Sequence, residues 1–138
     1  MTNGFEIDHI GIAVKSIEQA FRFYEALGWK DMKVEVVESE KVKVGFIEFN
    51  NSVSIELLEA TSSDSPIAKF IEKRGEGIHH ICMRVPDVQK SLDGLKDDGF
   101  RLVNEMPKAG AKGCWVAFVH PTAANGVLIE LSQGGHHG

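Results

Sequence analysis

The chain has 138 residues, 43% hydrophobic and 25% charged, with a formal net charge of −5 when histidines are neutral. These values suit a globular protein of ordinary size with enough apolar residues for a core. Lys and Arg are scattered, never more than two together, and no apolar run approaches the roughly 20 residues that span a bilayer, which sets aside nucleic-acid binding and membrane insertion. The first residues lack the charged and apolar regions of a secretory leader, so a cytoplasmic protein is expected. Cys82 and Cys114 lie far apart and form no Cys-x-x-Cys pair, so both read as small core residues.

In chain order, residues 5–14 alternate and are rich in Ile and Val, which predicts a strand. Ser16, with Gln19 three residues on, predicts a helix start, and Ile17, Ala20, Phe21, Tyr24 and Leu27 mark one helical face that Gly28 ends. Strands are expected over 32–38, 42–49 and 53–58, the last two forming a hairpin around Asn50-Asn51. After a polar connection, Ser65-Pro66 predicts a second helix with Ile67, Phe70 and Ile71 inward, broken by Gly75-Glu76-Gly77.

The pattern then repeats. Residues 78–85 read as a strand, Pro86-Asp87-Val88 leads into a helix with Val88, Leu92 and Leu95 on one face, and Gly99 ends it. A strand over 100–105, a glycine-rich loop over 108–113, and strands over 114–119 and 127–132 complete the chain. The tail 134–138 is glycine-rich and expected to be flexible, and its histidines are expected only to scavenge metal.

Three blocks match in one order. Ile7-Asp8-His9-Ile10 answers Ile78-His79-His80-Ile81; Val44-Gly45-Phe46-Ile47 answers Val116-Ala117-Phe118-Val119; Val53-Ser54-Ile55-Glu56-Leu57 answers Val127-Leu128-Ile129-Glu130-Leu131. His80 follows His9 by 71 residues and Glu130 follows Glu56 by 74, so the second copy carries about three extra loop residues. Two βαβββ modules follow, at about 5–74 and 78–133 of a single domain.

Each copy places a His on its first strand and a Glu inside Ile-Glu-Leu on its last. An isolated buried carboxylate must neutralise, pair or bind a cation. One such Glu could simply point outward; two at matched positions argue for a shared role. His9, Glu56, His80 and Glu130 together make a site for one divalent ion such as Mn, Co, Ni, Zn or Fe. Strand alternation turns His79 to the other face.

The paired modules with this His, Glu, His, Glu set resemble the vicinal oxygen chelate (glyoxalase/bleomycin resistance/dioxygenase) superfamily. Within it the chain is most similar to the methylmalonyl-CoA epimerases, over nearly its whole length. The stretch 7–14 is shared broadly by the superfamily; 64–70, 75–81, His120-Pro121 and 126–131, in that order and spacing, are more specific to the epimerases. The resemblance implies an α+β fold in which two tandem βαβββ modules form a curved mixed sheet around a metal-containing cleft. It implies His9, Glu56, His80 and Glu130 as metal ligands, and an acyl-CoA thioester as substrate. The reaction implied interconverts the epimers of methylmalonyl-CoA by removing and returning the α-proton through a metal-stabilised enolate. Some family members have Gln at the position of Glu56, and some carry a candidate base Glu where this chain has Val44. With Val44 there, Glu56 and Glu130 are the expected acid/base pair. Lys112 and His120 are substrate-binding candidates, against an ordinary loop lysine and a structural turn. A homodimer is implied by analogy. Alternatives are a glyoxalase I type lactoylglutathione lyase, a ring-cleaving dioxygenase using two His and one Glu, and a non-enzymatic small-molecule binder of the same fold.

Overall fold

The computed structural model describes residues 4–134; His136 and His137 of the tail lie outside them. Strands are β1 (Glu6–Ala13), β2 (Lys33–Val37), β3 (Val42–Glu48), β4 (Ser54–Ala60), β5 (Gly77–Arg84), β6 (Lys108–Ala109), β7 (Trp115–Val119) and β8 (Ile129–Gln133). Helices are α1 (Ile17–Leu27), α2 (Pro66–Arg74) and α3 (Val88–Asp97), with short 3-10 turns at Glu38–Glu40, Ala111–Gly113 and Pro121–Ala124. The order is βαβββ, then α2, then βαβββ again. The chain packs as two compact units: Ile10–His79, and the residues up to His9 together with those from His80 onward.

Within Ile10–His79 the strands run in the order β2-β3-β4-β1, and β3 is antiparallel to both β2 and β4. Ser16 Oγ accepts from Gln19 N–H at 3.2 Å and caps α1, whose apolar face closes over Val14, Ile47 and Leu57. Gly28 takes φ 130°, which an L side chain resists, so the helix stops there. Gly45 permits close approach: a Cβ on it would lie 2.6 Å from Met32 Sδ and 2.8 Å from Ile17 Cγ2. Ser65 Oγ accepts from Ile67 N–H, and Pro66 opens α2, as Ser-Pro predicts.

In the other unit the order is β1-β5-β8-β7-β6, with β5 parallel to β8 and β7 antiparallel to β8 and β6. Asp87 caps α3 by accepting from Lys90 N–H at 3.0 Å. Val85, Val88, Leu92, Ala117, Val119 and Leu131 form its core. Cys82 is fully buried and Cys114 7% exposed, both unpaired by disulfide as expected.

The duplication extends to individual hydrogen bonds. Val14 N–H donates to Leu58 O at 2.9 Å, and Val85 N–H to Ser132 O at 2.9 Å. Ile17 N–H donates to the Glu59 carboxylate and Val88 N–H to the Gln133 side-chain oxygen, so each helix's first free N–H is met by the last strand of its module. These partners are offset by 71 and 74 residues, the same as His9 to His80 and Glu56 to Glu130.

One element departs from expectation. Residues 100–105 form no strand; a single bridge joins Leu102 to Val119. Asn104 explains this: its side-chain oxygen accepts from Phe118 N–H at 2.8 Å, while Val103 and Asn104 N–H both donate to Phe118 O. The chain bends at that point, and the ladder resumes only after Pro107, at Lys108 and Ala109, inside the segment expected to be loop.

Candidate metal centre

Parallel pairing of β5 with β8 sets Cys82 beside Glu130, and antiparallel pairing of β8 with β7 sets Phe118 opposite Glu130. His9 and His80 come from β1 and β5 of the same unit. The three converge: His9 Nε2 and His80 Nε2 are 3.0 Å apart, and Glu130 Oε1 lies 3.1 Å from the first and 2.9 Å from the second. His9 and His80 are 5% exposed and Glu130 8%. The imidazoles meet edge to face, and Phe118 packs edge-on against His80.

These separations suit a metal. Bonds of about 2.1 Å in octahedral geometry place neighbouring donors about 3.0 Å apart. Two imidazoles and one carboxylate are a donor set that could hold one divalent ion. Burial alone would raise the Glu130 carboxyl, but hydrogen bonds from His80 and His9 outweigh it and hold the group below its ordinary value. Anionic Glu130 is the ligand form. Burial pushes the adjacent Cys82 thiol far up, so it stays protonated and is a poor ligand.

Of the other expected residues, Glu56 lies in β4 of the second unit, 8% exposed and opposite Phe46, as Glu130 is opposite Phe118. Val44 is 2% exposed; its partners across the sheet are Leu58 and Glu35. Directly paired residues share a face, so half-buried Glu35 stands on the face that carries Glu56. Lys112 sits in a 3-10 turn at φ 56°. His120 caps the next turn, its Nδ1 accepting from Thr122 N–H at 3.1 Å. Neither belongs to the three-residue cluster. His79 packs edge-on against Phe70 with ring centres 5.0 Å apart.

Sequence reasoning missed Asp8. Its Oδ2 lies 2.8 Å from His9 Nδ1, and its Oδ1 accepts from Arg84 at 2.9 Å. The available signal was that Asp8 precedes the first His while His79 precedes the second.

The family model for the glyoxalase/bleomycin resistance protein/dioxygenase superfamily matches residues 8–118. The uncharacterized protein YqjC of Bacillus subtilis is 43% identical over 128 residues, 92% of this chain and 91% of its own. An ethylmalonyl-CoA/methylmalonyl-CoA epimerase of Cereibacter sphaeroides is 41% identical over 130 residues, covering 92% of this chain and 96% of its own. A solved methylmalonyl-CoA epimerase in complex with methylmalonyl-CoA and ammonium superposes with TM-score 0.85 at 33% identity, covering 95% of each chain. The chain belongs to this superfamily, and within it to the family of the methylmalonyl-CoA epimerases. Its α+β fold of paired βαβββ modules is that of the superfamily.

Proposed function

We propose that this chain is a metal-dependent epimerase that interconverts the two epimers of methylmalonyl-CoA. The observation that carries the reading is the His9, His80 and Glu130 cluster, in a chain whose relatives include epimerases acting on malonyl-type thioesters. Glu56, the repeat counterpart of Glu130, is proposed as the fourth ligand. His9, His80, Glu130 and Glu56 would hold a divalent ion, which would supply Lewis acidity to the thioester oxygen at neutral pH.

The chain's own residues do the rest. The hydrogen between thioester and carboxylate leaves as a proton to one glutamate carboxylate, and its bonding pair passes into the thioester carbonyl. A second glutamate, in its protonated carboxylic acid form, gives its proton to the opposite face and becomes the carboxylate, and the pair moves back to carbon. Glu56 and Glu130, matched by the duplication, are the proposed pair. Glu35 is the substitute for Glu56, because it shares that residue's sheet face beside Val44. Lys112 and His120 are proposed contacts for the acyl-CoA. The Asp64–Phe70 segment, with the compact two-module length, favours the epimerase over a lactoylglutathione lyase; Asp64 contacts Lys41 and Ser62. The protein is proposed to work as a cytoplasmic homodimer.

The test is incorporation of deuterium from solvent at the α-carbon of methylmalonyl-CoA by the metal-loaded protein, with ethylmalonyl-CoA and a glutathione hemithioacetal run in parallel. Exchange and epimerisation of the thioesters alone are expected. Turnover of the hemithioacetal alone would overturn the reading. A Glu56→Ala variant that keeps metal and normal exchange would remove Glu56 from the acid/base pair, and Glu35→Gln then tests the substitute.

A further inference from the structure

The metal cluster has a polar chain behind it that the duplication does not account for. His9 Nδ1 lies 2.8 Å from Asp8 Oδ2. Asp8 Oδ1 accepts from Arg84 Nη2 at 2.9 Å and from Arg84 Nε at 3.3 Å, and Arg84 Nη1 donates to Glu6 Oε1 at 3.1 Å. The Asp8 side chain is 12% exposed and Arg84 24%, so the inner contacts are largely shielded from water.

All three supporting residues occur where the copies differ. Seventy-one residues separate equivalent positions of the first strands, so Glu6 corresponds to Gly77, Asp8 to His79, and Arg84 to Ala13. The ligands themselves are kept in both copies. The support therefore stands on only one side of the duplicated frame.

We propose that Asp8, clamped by Arg84, is a positioning residue for the metal centre that, when an ion is bound, fixes the His9 imidazole with Nδ1 protonated and the Nε2 lone pair turned to the ion. This deepens the metal-centre reading and rests on it. With an ion between them, Glu130 would bind the ion instead of accepting from His9 Nε2; a neutral imidazole has one N–H and one bare nitrogen, and an ionised Asp8 can only accept, so Nδ1 carries the hydrogen and Nε2 is left to ligate. The same hydrogen bond fixes ring orientation and makes Nε2 a stronger donor. Arg84 engages Oδ1 with two N–H groups and leaves Oδ2 to His9. The second copy has His79 where a matching carboxylate would stand, and its ring packs on Phe70 instead. The two histidine ligands are thus chemically unequal.

The test measures Co2+ affinity by chelator competition on the full chain, in a background in which His136 and His137 are alanine. Asp8→Asn, close in shape and without the charge, is expected to weaken binding about 10-fold, and Asp8→Ala about 100-fold. Arg84→Met is expected to fall between wild type and Asp8→Ala. His79→Ala, the substitution at the equivalent place in the other copy, should leave affinity unchanged. A tautomer readout separates positioning from general destabilisation: in the Zn2+-loaded protein, proton–nitrogen correlation spectra should show His9 with a protonated Nδ1, its proton losing its downfield shift in Asp8→Asn. Wild-type affinity in a folded Asp8→Asn, or His9 bound through Nδ1, would overturn this inference and leave the metal centre standing. Absence of metal binding by the unsubstituted protein would overturn both.

Discussion

Glu130 is a buried anion whose ordinary cost of desolvation is met by two imidazoles, each about 3 Å from one oxygen. Glu130→Gln keeps the shape and loses the charge, so we expect metal affinity to fall by more than the roughly 10- to 100-fold typical of an outer partner; chelator competition measures it. Cys82 and Cys114 should resist a thiol reagent in the native protein and react at once after unfolding, since both are buried and Cys82 is held protonated. Rapid native labelling of Cys82 would contradict its placement beside Glu130. His9, His80 and Glu130 were legible in the sequence because duplication marks them twice. Asp8 and Arg84 were not, since strand alternation alone points Asp8 away from its neighbour's face and the contact to Arg84 joins residues 76 apart in sequence. Lys112 and His120 sit in successive 3-10 turns, one at positive φ and the other as the turn's cap.

At the scale of elements, capping chemistry read well. Ser16 and Asp87 each receive the N–H three residues on, and replacing either with alanine should cost about 1 kcal/mol in denaturant unfolding. The small residue under each first helix also varies as packing requires. Gly45 lies beneath Ile17 and Met32, whereas its counterpart Ala117 shares a core with Val88, a smaller residue than Ile17. Gly45→Ala should therefore overpack and destabilise by about 1–3 kcal/mol despite the better strand propensity of alanine. A neutral or stabilising result would show that Met32 swings clear. The expected strand at 100–105 failed for a reason that periodicity cannot carry: an Asn side chain took a ladder position from the backbone.

For the whole molecule, a bound ion adds stability by mass action. At free metal 100-fold above its dissociation constant the gain is about 2.7 kcal/mol, which for a chain of this size raises the melting temperature by roughly 10 °C. Removal of His136 and His137 should leave this rise intact, whereas Glu130→Gln should abolish it; calorimetry with and without chelator decides. Among the described residues no helix is long and apolar enough to cross a membrane. The modular order was readable because each copy repeats strand and helix signals in register. The compact units were not, because their boundaries cut through β1 and β5 instead of the glycine joint at Gly75-Glu76-Gly77.

That mismatch has a consequence for inheritance. The copied segment ends at the joint, yet His9 comes from the first copy and His80 and Glu130 from the second, and all three meet in one unit. A gene split at the joint would give two fragments, neither with three ligands. Each alone should hold metal weakly, and mixing them should restore tight binding only if the first nine residues dock with the second fragment. An ancestor with a single copy could have assembled the same ligand set only by lending its first strand to a sister chain. Duplication within one gene would then have made a shared site private.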